Sequence, residues 1–234
     1  MYYKALTADG CGPYSGVKWF LPTRLPDGTY KPGKWMPRIE APLVCCRVGY
    51  HGCERGQVVR WLSDTLYELQ YDGEPARDSE KCWGRRARLL RPFLEWDARA
   101  ARLFSCDCAE RVLPHYESYF PGDDRPRRSI EMSRKFANGE VTSEEMAGAA
   151  RAARAAAREA AVAAGAARAA ARAAAWATGA AEAAWAAAGA AGAAAGAAAR
   201  AARAAAWAAA EADWAGAAAE ADWQTGRLFV YLEG

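Results

Sequence analysis

Cysteine and histidine crowd into one short stretch, Cys45-Cys46-Arg47-Val48-Gly49-Tyr50-His51-Gly52-Cys53. Thiolate and imidazole are the ligands that zinc prefers, so a metal centre is the first chemistry this stretch suggests. The spacing argues otherwise: no pair of cysteines two residues apart is matched by a second such pair. Cys82, or the Cys106 and Cys108 pair, could complete a set only through the fold. The plainer reading is a tight Gly-x-x-Gly turn between a strand and a helix, with buried cysteines. Neither a bound metal nor a cofactor is expected. His51 and His115 are the two histidines. Catalysis would therefore rest on His51, on a thiol such as Cys53, or on arginine and glutamate. A glycine-rich phosphate loop and a Gly-x-Ser-x-Gly elbow are both absent from the sequence.

Binding chemistry has a second source. Trp176, Trp185, Trp207, Trp214 and Trp223 are the large residues of an alanine tract, and Arg151, Arg154 and Arg158 recur there at three-four spacing, on one helical face. Tryptophan and arginine dominate binding hot spots, which makes this set, with His51, the candidate binding residues. Alternatively, the tryptophans plug an alanine core. The arginines could pair with the later acids Glu211, Asp213, Glu220 and Asp222 in an antiparallel helix pair. The basic runs Arg85–Arg88 and Arg125–Arg128 read as solvated faces, and a net charge of +3 does not favour nucleic acid as a partner.

These residues need elements to position them, and composition divides the chain. From Ala147 to Ala221 roughly two residues in three are alanine, the best helix former. Earlier residues read as short strands with turn punctuation: Tyr2–Leu6, Val17–Leu21, Leu43–Val48, Leu66–Tyr71 and Arg85–Leu90, with a helical pattern over Glu54–Ser63. Glu95–Tyr119 reads as helical, interrupted at Pro114. Asp123-Asp124-Arg125-Pro126 opens a helix that stops near Asn138-Gly139. Within it Arg127, Glu131 and Arg134 are spaced for ion pairs along one helix. Thr142 and Glu145 are spaced as a capping box for the next helix. The expected fold is an α+β N-terminal domain followed by an all-α, alanine-rich helical bundle: 1–95, a helical linker with first helices over 96–141, and 142–234.

Two stretches resemble known families. Cys46 to Gly73, with Gly49-Tyr50-His51-Gly52-Cys53, Tyr67-Glu68-Leu69, Asp72-Gly73-Glu74 and then Lys81, is similar to a small phage and prophage domain of unknown function that carries a Gly-aromatic-His-x-Cys turn. Its front half, Gly12 to Pro42, is enlarged here. Residues 104–234, with Cys106-Asp107-Cys108-Ala109-Glu110-Arg111, Asp123-Asp124-Arg125-Pro126-Arg127, the alanine repeats and Asp222-Trp223-Gln224, resemble an alanine-rich helical family of bacterial immunity proteins. That resemblance implies toxin neutralisation or another binding role and supplies no catalytic residues.

The resulting expectation is a non-enzymatic binding protein of phage or mobile-element origin, acting in bacterial conflict on a protein partner. The alternatives are a structural or assembly protein of a virion, and a nucleotide-binding protein or enzyme built around His51. The alanine tracts are too weakly apolar and too often broken by arginine to insert in a membrane, and Met1-Tyr2-Tyr3-Lys4 opens no signal peptide, so a cytoplasmic location is expected. Alanine buries little area per side chain, so the bundle is expected to gain further surface as a homo-oligomer, a dimer formed through residues 176–223.

Overall fold

The computed structural model describes residues 1–159, 172–174, 200–205, 207 and 214–233. It divides into two compact units, Met1–Leu94 and Glu95–Gly234. The strands lie in the first and the long helices in the second, the α+β-then-helical architecture read from composition.

The first unit is built on three small antiparallel sheets. Strands β1 (Tyr2–Leu6), β5 (Thr65–Tyr71) and β8 (Ala87–Pro92) form one, in the order β1-β5-β8; β4 (Tyr50–Gly52), β7 (Cys82–Gly84) and β6 (Ala76–Arg77) form another, in the order β4-β7-β6; β2 (Thr23–Arg24) and β3 (Tyr30–Lys31) pair as a ribbon. A bridge between Tyr3 and Cys53 stitches β1 to the residue that follows β4. In β5 the alternating side chains Tyr67, Leu69 and Tyr71 go inward and join Leu6, Trp19, Met36, Cys82 and Leu89 in the core. Gly52 is required where the two larger sheets approach: a Cβ there would lie 2.3 Å from Leu69 Cδ2 and 3.0 Å from the Tyr3 carbonyl oxygen.

Two expected strands are absent. Val17, Phe20 and Leu21 are exposed, and of Val17–Leu21 only Lys18 makes a bridge, with Cys11. Leu43–Val48 is a turn rather than a strand, closed by Val48 N–H donating to the Val44 carbonyl at 2.8 Å, with Cys46 at φ +64°. The run is not buried, with Val44 and Cys46 exposed, and the positive φ of Cys46 turns the chain back on itself. The expected helix after Cys53 is a 3-10 helix, Arg55–Trp61, which buries Val58 and Val59.

The second unit contains α1 (Ala98–Tyr119), α2 (Arg125–Ala137), α3 (Ser143–Glu159) and α4 (Trp214–Glu233). Asp97 caps α1, its carboxylate accepting from the Ala100 N–H at 2.7 Å. The helix runs through Pro114 without the interruption the sequence suggested. Proline removes one N–H donor, but the burial of Val112 and Leu113 before it and Tyr116 after it anchors both flanks. Asn138 ends α2, with Gly139 at φ +76° beyond it. At the start of α3 the capping box forms: Thr142 N–H donates to Glu145 Oε2 at 2.8 Å and Glu145 N–H to Thr142 Oγ1 at 3.3 Å. The ion pairs of α2 reach across to α1 instead of running along the helix: Arg127 meets Glu117, and Arg134 meets Asp107 and Glu110.

Candidate functional site

The charged centre of the helical unit is Asp107, buried on α1. Its carboxylate accepts from Arg134 Nη2 of α2 at 2.7 Å, from Arg227 Nε of α4 at 2.5 Å and from the Tyr231 hydroxyl at 2.6 Å. Burial alone would lower the Arg134 pKa, but the charges of Asp107 and Glu110 outweigh it and hold the guanidinium firmly protonated. Burial, with the bond to Asp107, pushes the Tyr231 phenol up, so it stays a donor. A carboxylate with three donors is a satisfied buried charge, and it ties three helices together.

A cleft of about 580 Å³ opens beside it, lined by Asp107, Glu110, Arg111, Arg134, Trp223 and Arg227. One wall is a compound contact. Arg111 Nε donates to the buried Glu220 carboxylate at 2.7 Å while its guanidinium stacks over the Trp223 ring at 4.6 Å. Glu220 is held in turn by Gln224 Nε2 at 3.0 Å, which also donates to the Ala202 carbonyl. The cleft therefore presents to solvent an arginine that lies on tryptophan and is fixed from behind by Glu220.

The first unit carries another candidate. Lys81 Nζ donates to Cys46 Sγ at 2.9 Å, and Cys45 Sγ lies 3.4 Å from the same sulfur. Those two contacts lower the Cys46 thiol pKa, Lys81 having the larger effect. Cys46 N–H donates to His51 Nε2 at 3.1 Å. Burial, then the charges of Lys4 and Lys81, lowers the His51 pKa and keeps the ring neutral. Cys53 is sealed in the core, where burial pushes its thiol up to about 12. All seven cysteines are free. Among the described residues no group of three or more histidine, cysteine and carboxylate side chains is placed to hold a metal ion.

Of the residues singled out in the sequence, Trp223 lies in the helical cleft and His51 beside Cys46. Arg151 is exposed and Arg154 half-buried on α3; Arg158 lies on the same helix, its side chain outside the described residues. Trp207 is 62% exposed, Trp214 opens α4 with its side chain outside the described residues, and Trp176 and Trp185 fall outside them. Of the late acids, Glu220 pairs with Arg111 of α1; Glu211 and Asp213 lie outside the described residues, and the pairing expected between them and the arginine face of α3 lies outside them too. The basic runs are engaged: Arg85 Nη1 donates to the carbonyls of Ile39, Glu40 and Ala41, Arg86 and Arg88 stack on Trp35, and Arg125 and Arg128 pair with Asp123 and Asp124. Asp107, Arg111 and Lys4 are site residues that the sequence does not single out. Asp107, between two cysteines in a helical pattern, carried the one available signal: an acid on the apolar side of an amphipathic helix needs partners.

Among the described residues no helix is long and apolar enough to cross a membrane. Comparison with curated proteins and with solved structures returned no match. A family model described as Imm-5 like putative immunity protein matches residues 95–228. That stretch begins where the helical unit begins and contains every residue of the cleft. With more than half of its length so matched, the chain belongs to the Imm-5 like immunity protein family.

Proposed function

We propose that the helical unit is the neutralising part of a non-enzymatic binding protein of phage or mobile-element origin, which protects a bacterial host by occupying a toxic protein. The cleft between α1, α2 and α4 is the surface that receives the partner. The observation that carries this reading is Arg111 stacked on Trp223 and braced by the buried Glu220 at the cleft wall. A pre-ordered arginine–tryptophan pair loses little conformational freedom on binding, which is what makes such pairs effective anchors. Glu110 and Arg227 beside it supply charge of both signs for the rim. Self-association through residues 176–223 belongs to the same reading, with Trp207 as its exposed contact.

The test is protection. The chain is co-expressed with each toxic protein encoded beside its gene, and growth is followed. Trp223→Ala is expected to abolish growth rescue while helical circular dichroism is retained; rescue undiminished by Trp223→Ala and by Arg111→Ala would remove the cleft from the proposal.

A further inference from the structure

The first unit encloses a pocket of about 680 Å³, within the size range of small-molecule sites. It lies outside the stretch that matches the immunity family. The pocket is lined mainly by apolar surface, with aromatic walls from Tyr14, Trp19, Tyr50 and Trp61. Trp19 is buried and packs edge-on to Tyr50, and Trp61, with exposed Tyr14 edge-on to it, is held by its Nε1 donating to the Glu80 carbonyl at 2.7 Å.

The charges in this pocket are of one sign. Lys4, Arg47 and Lys81 line it, and no aspartate or glutamate does. Lys4 is half-buried on β1, its ammonium 5.2 Å from the centre of the Trp19 ring and without a carboxylate partner among the described residues. The Lys81 ammonium lies 5.1 Å from the centre of the Trp61 ring and donates to the Cys46 sulfur. Burial pulls the Lys4 pKa down to about 8, the mark of a cation short of counter-charge. Both lysines also act on His51, so the two charges converge on one region of the pocket. Buried charge is costly unless paired. An aromatic cavity with an ammonium over each of two tryptophans, that of Lys4 without a carboxylate partner among the described residues, is complementary to one ligand chemistry.

We infer that this pocket binds a small aromatic anion, its ring against Trp19 and Trp61 and its anionic group at Lys4 and Lys81. Phosphate and carboxylate both satisfy that chemistry, the first in a nucleoside monophosphate and the second in an aromatic acid. Cys46 stands at the same wall, its sulfur on Lys81, so a bound anion competes with the thiolate for the ammonium.

The experiment uses the full chain and the fluorescent anion 1-anilinonaphthalene-8-sulfonate, with its uncharged relative N-phenyl-1-naphthylamine as control. The expected result is saturable binding of one sulfonate dye per chain, with the uncharged relative binding at least roughly tenfold more weakly, the size of one well-placed charge contact. Lys4→Met and Lys81→Met should each weaken the sulfonate dye by about tenfold, and Lys4→Arg should retain it. Because Lys81 is at the surface, its variant reports on binding even if Lys4→Met fails to fold. Displacement of the dye by adenosine monophosphate assigns the phosphate source, and displacement by 2-naphthoate the carboxylate source. Failure of both to displace it, equal binding of the charged and uncharged dyes, or full affinity in Lys81→Met overturns the proposal.

Discussion

Cys46 differs from the six other thiols in three respects: it is exposed, it carries the Lys81 ammonium, and its backbone sits at φ +64°, a conformation that costs a non-glycine residue. Cys53, Cys82, Cys106 and Cys108 are buried, and burial raises the pKa of each. The sign follows directly. A lowered pKa places more Cys46 in the reactive thiolate form near neutrality, and its reaction rate climbs at lower pH than that of an ordinary thiol. Iodoacetamide at pH 7 is therefore expected to modify Cys46 first, with the buried four untouched in folded protein. Lys81→Met removes the larger of the two contacts that lower the Cys46 thiol and should slow that reaction; peptide mass mapping over time reads both, and equal labelling of Cys11 and Cys46 would contradict the geometry. The sequence made this cluster conspicuous but not its meaning. The stretch reads as a tight turn with buried cysteines, whereas the fold buries Cys53 alone of the three, leaving Cys45 half-buried and Cys46 exposed beside a lysine 35 residues along the chain. Lys4 is harder still to see. Nothing in Tyr2–Leu6 announces that its lysine faces a cavity, because a strand's pattern tells which side a residue takes and not what lies on that side.

Elements were legible where local chemistry dictates them. Tyr2–Leu6 and the strand ending at Asp72-Gly73 form as their alternation implies, α2 has Pro126 in its first turn and stops at Asn138-Gly139 as read, and at the start of α3 Thr142 accepts from a terminal backbone N–H. The Thr142–Glu145 reciprocal cap opens a helix rich in alanine and poor in large apolar side chains, so that cap carries a larger share of the helix's stability than it would elsewhere. Thr142→Ala is expected to lower the unfolding free energy of the helical unit by about 1 kcal/mol, measured by urea denaturation, with Thr142→Ser close to neutral. Pro114 and Leu43–Val48 depart from their sequence pattern for opposite reasons. In the first, tertiary burial on both sides overrides a local helix breaker; in the second, an apolar run is folded back by a turn whose strained cysteine no propensity anticipates. The pairing of α2 with α1 was equally hidden, since a residue spaced for a partner on its own helix is equally able to reach a neighbouring one.

At the scale of the whole molecule, the break in composition and the break in structure are different boundaries. Alanine takes over near residue 147, but the helical unit begins at Glu95, and the family match begins with it. α1 and α2 have ordinary compositions and still belong with the alanine-rich remainder, because α1 supplies Asp107 and Arg111 to side chains of α4. Exposed Trp207 on such a helical unit leads to an expectation about assembly: light scattering should report a dimer, about twice 25.2 kDa, at high micromolar concentration, and Trp207→Ala should shift it toward monomer. A mass near 25 kDa for the unaltered chain at that concentration would assign Trp207 to its own bundle. The Asp107 junction also bears on synthesis. Asp107 and Arg227 are 120 residues apart in sequence. A ribosome that adds about 5–20 residues per second therefore makes α1 on the order of ten seconds before it makes two of the three groups that satisfy the α1 carboxylate. During that interval the nascent helix carries a charge destined for burial without its full set of donors, and close packing around it is held off until α4 emerges. A message truncated before Trp214 never leaves that interval: its product keeps Asp107 short of Arg227 and Tyr231 and is left open to proteolysis, so only chains that include α4 complete the junction.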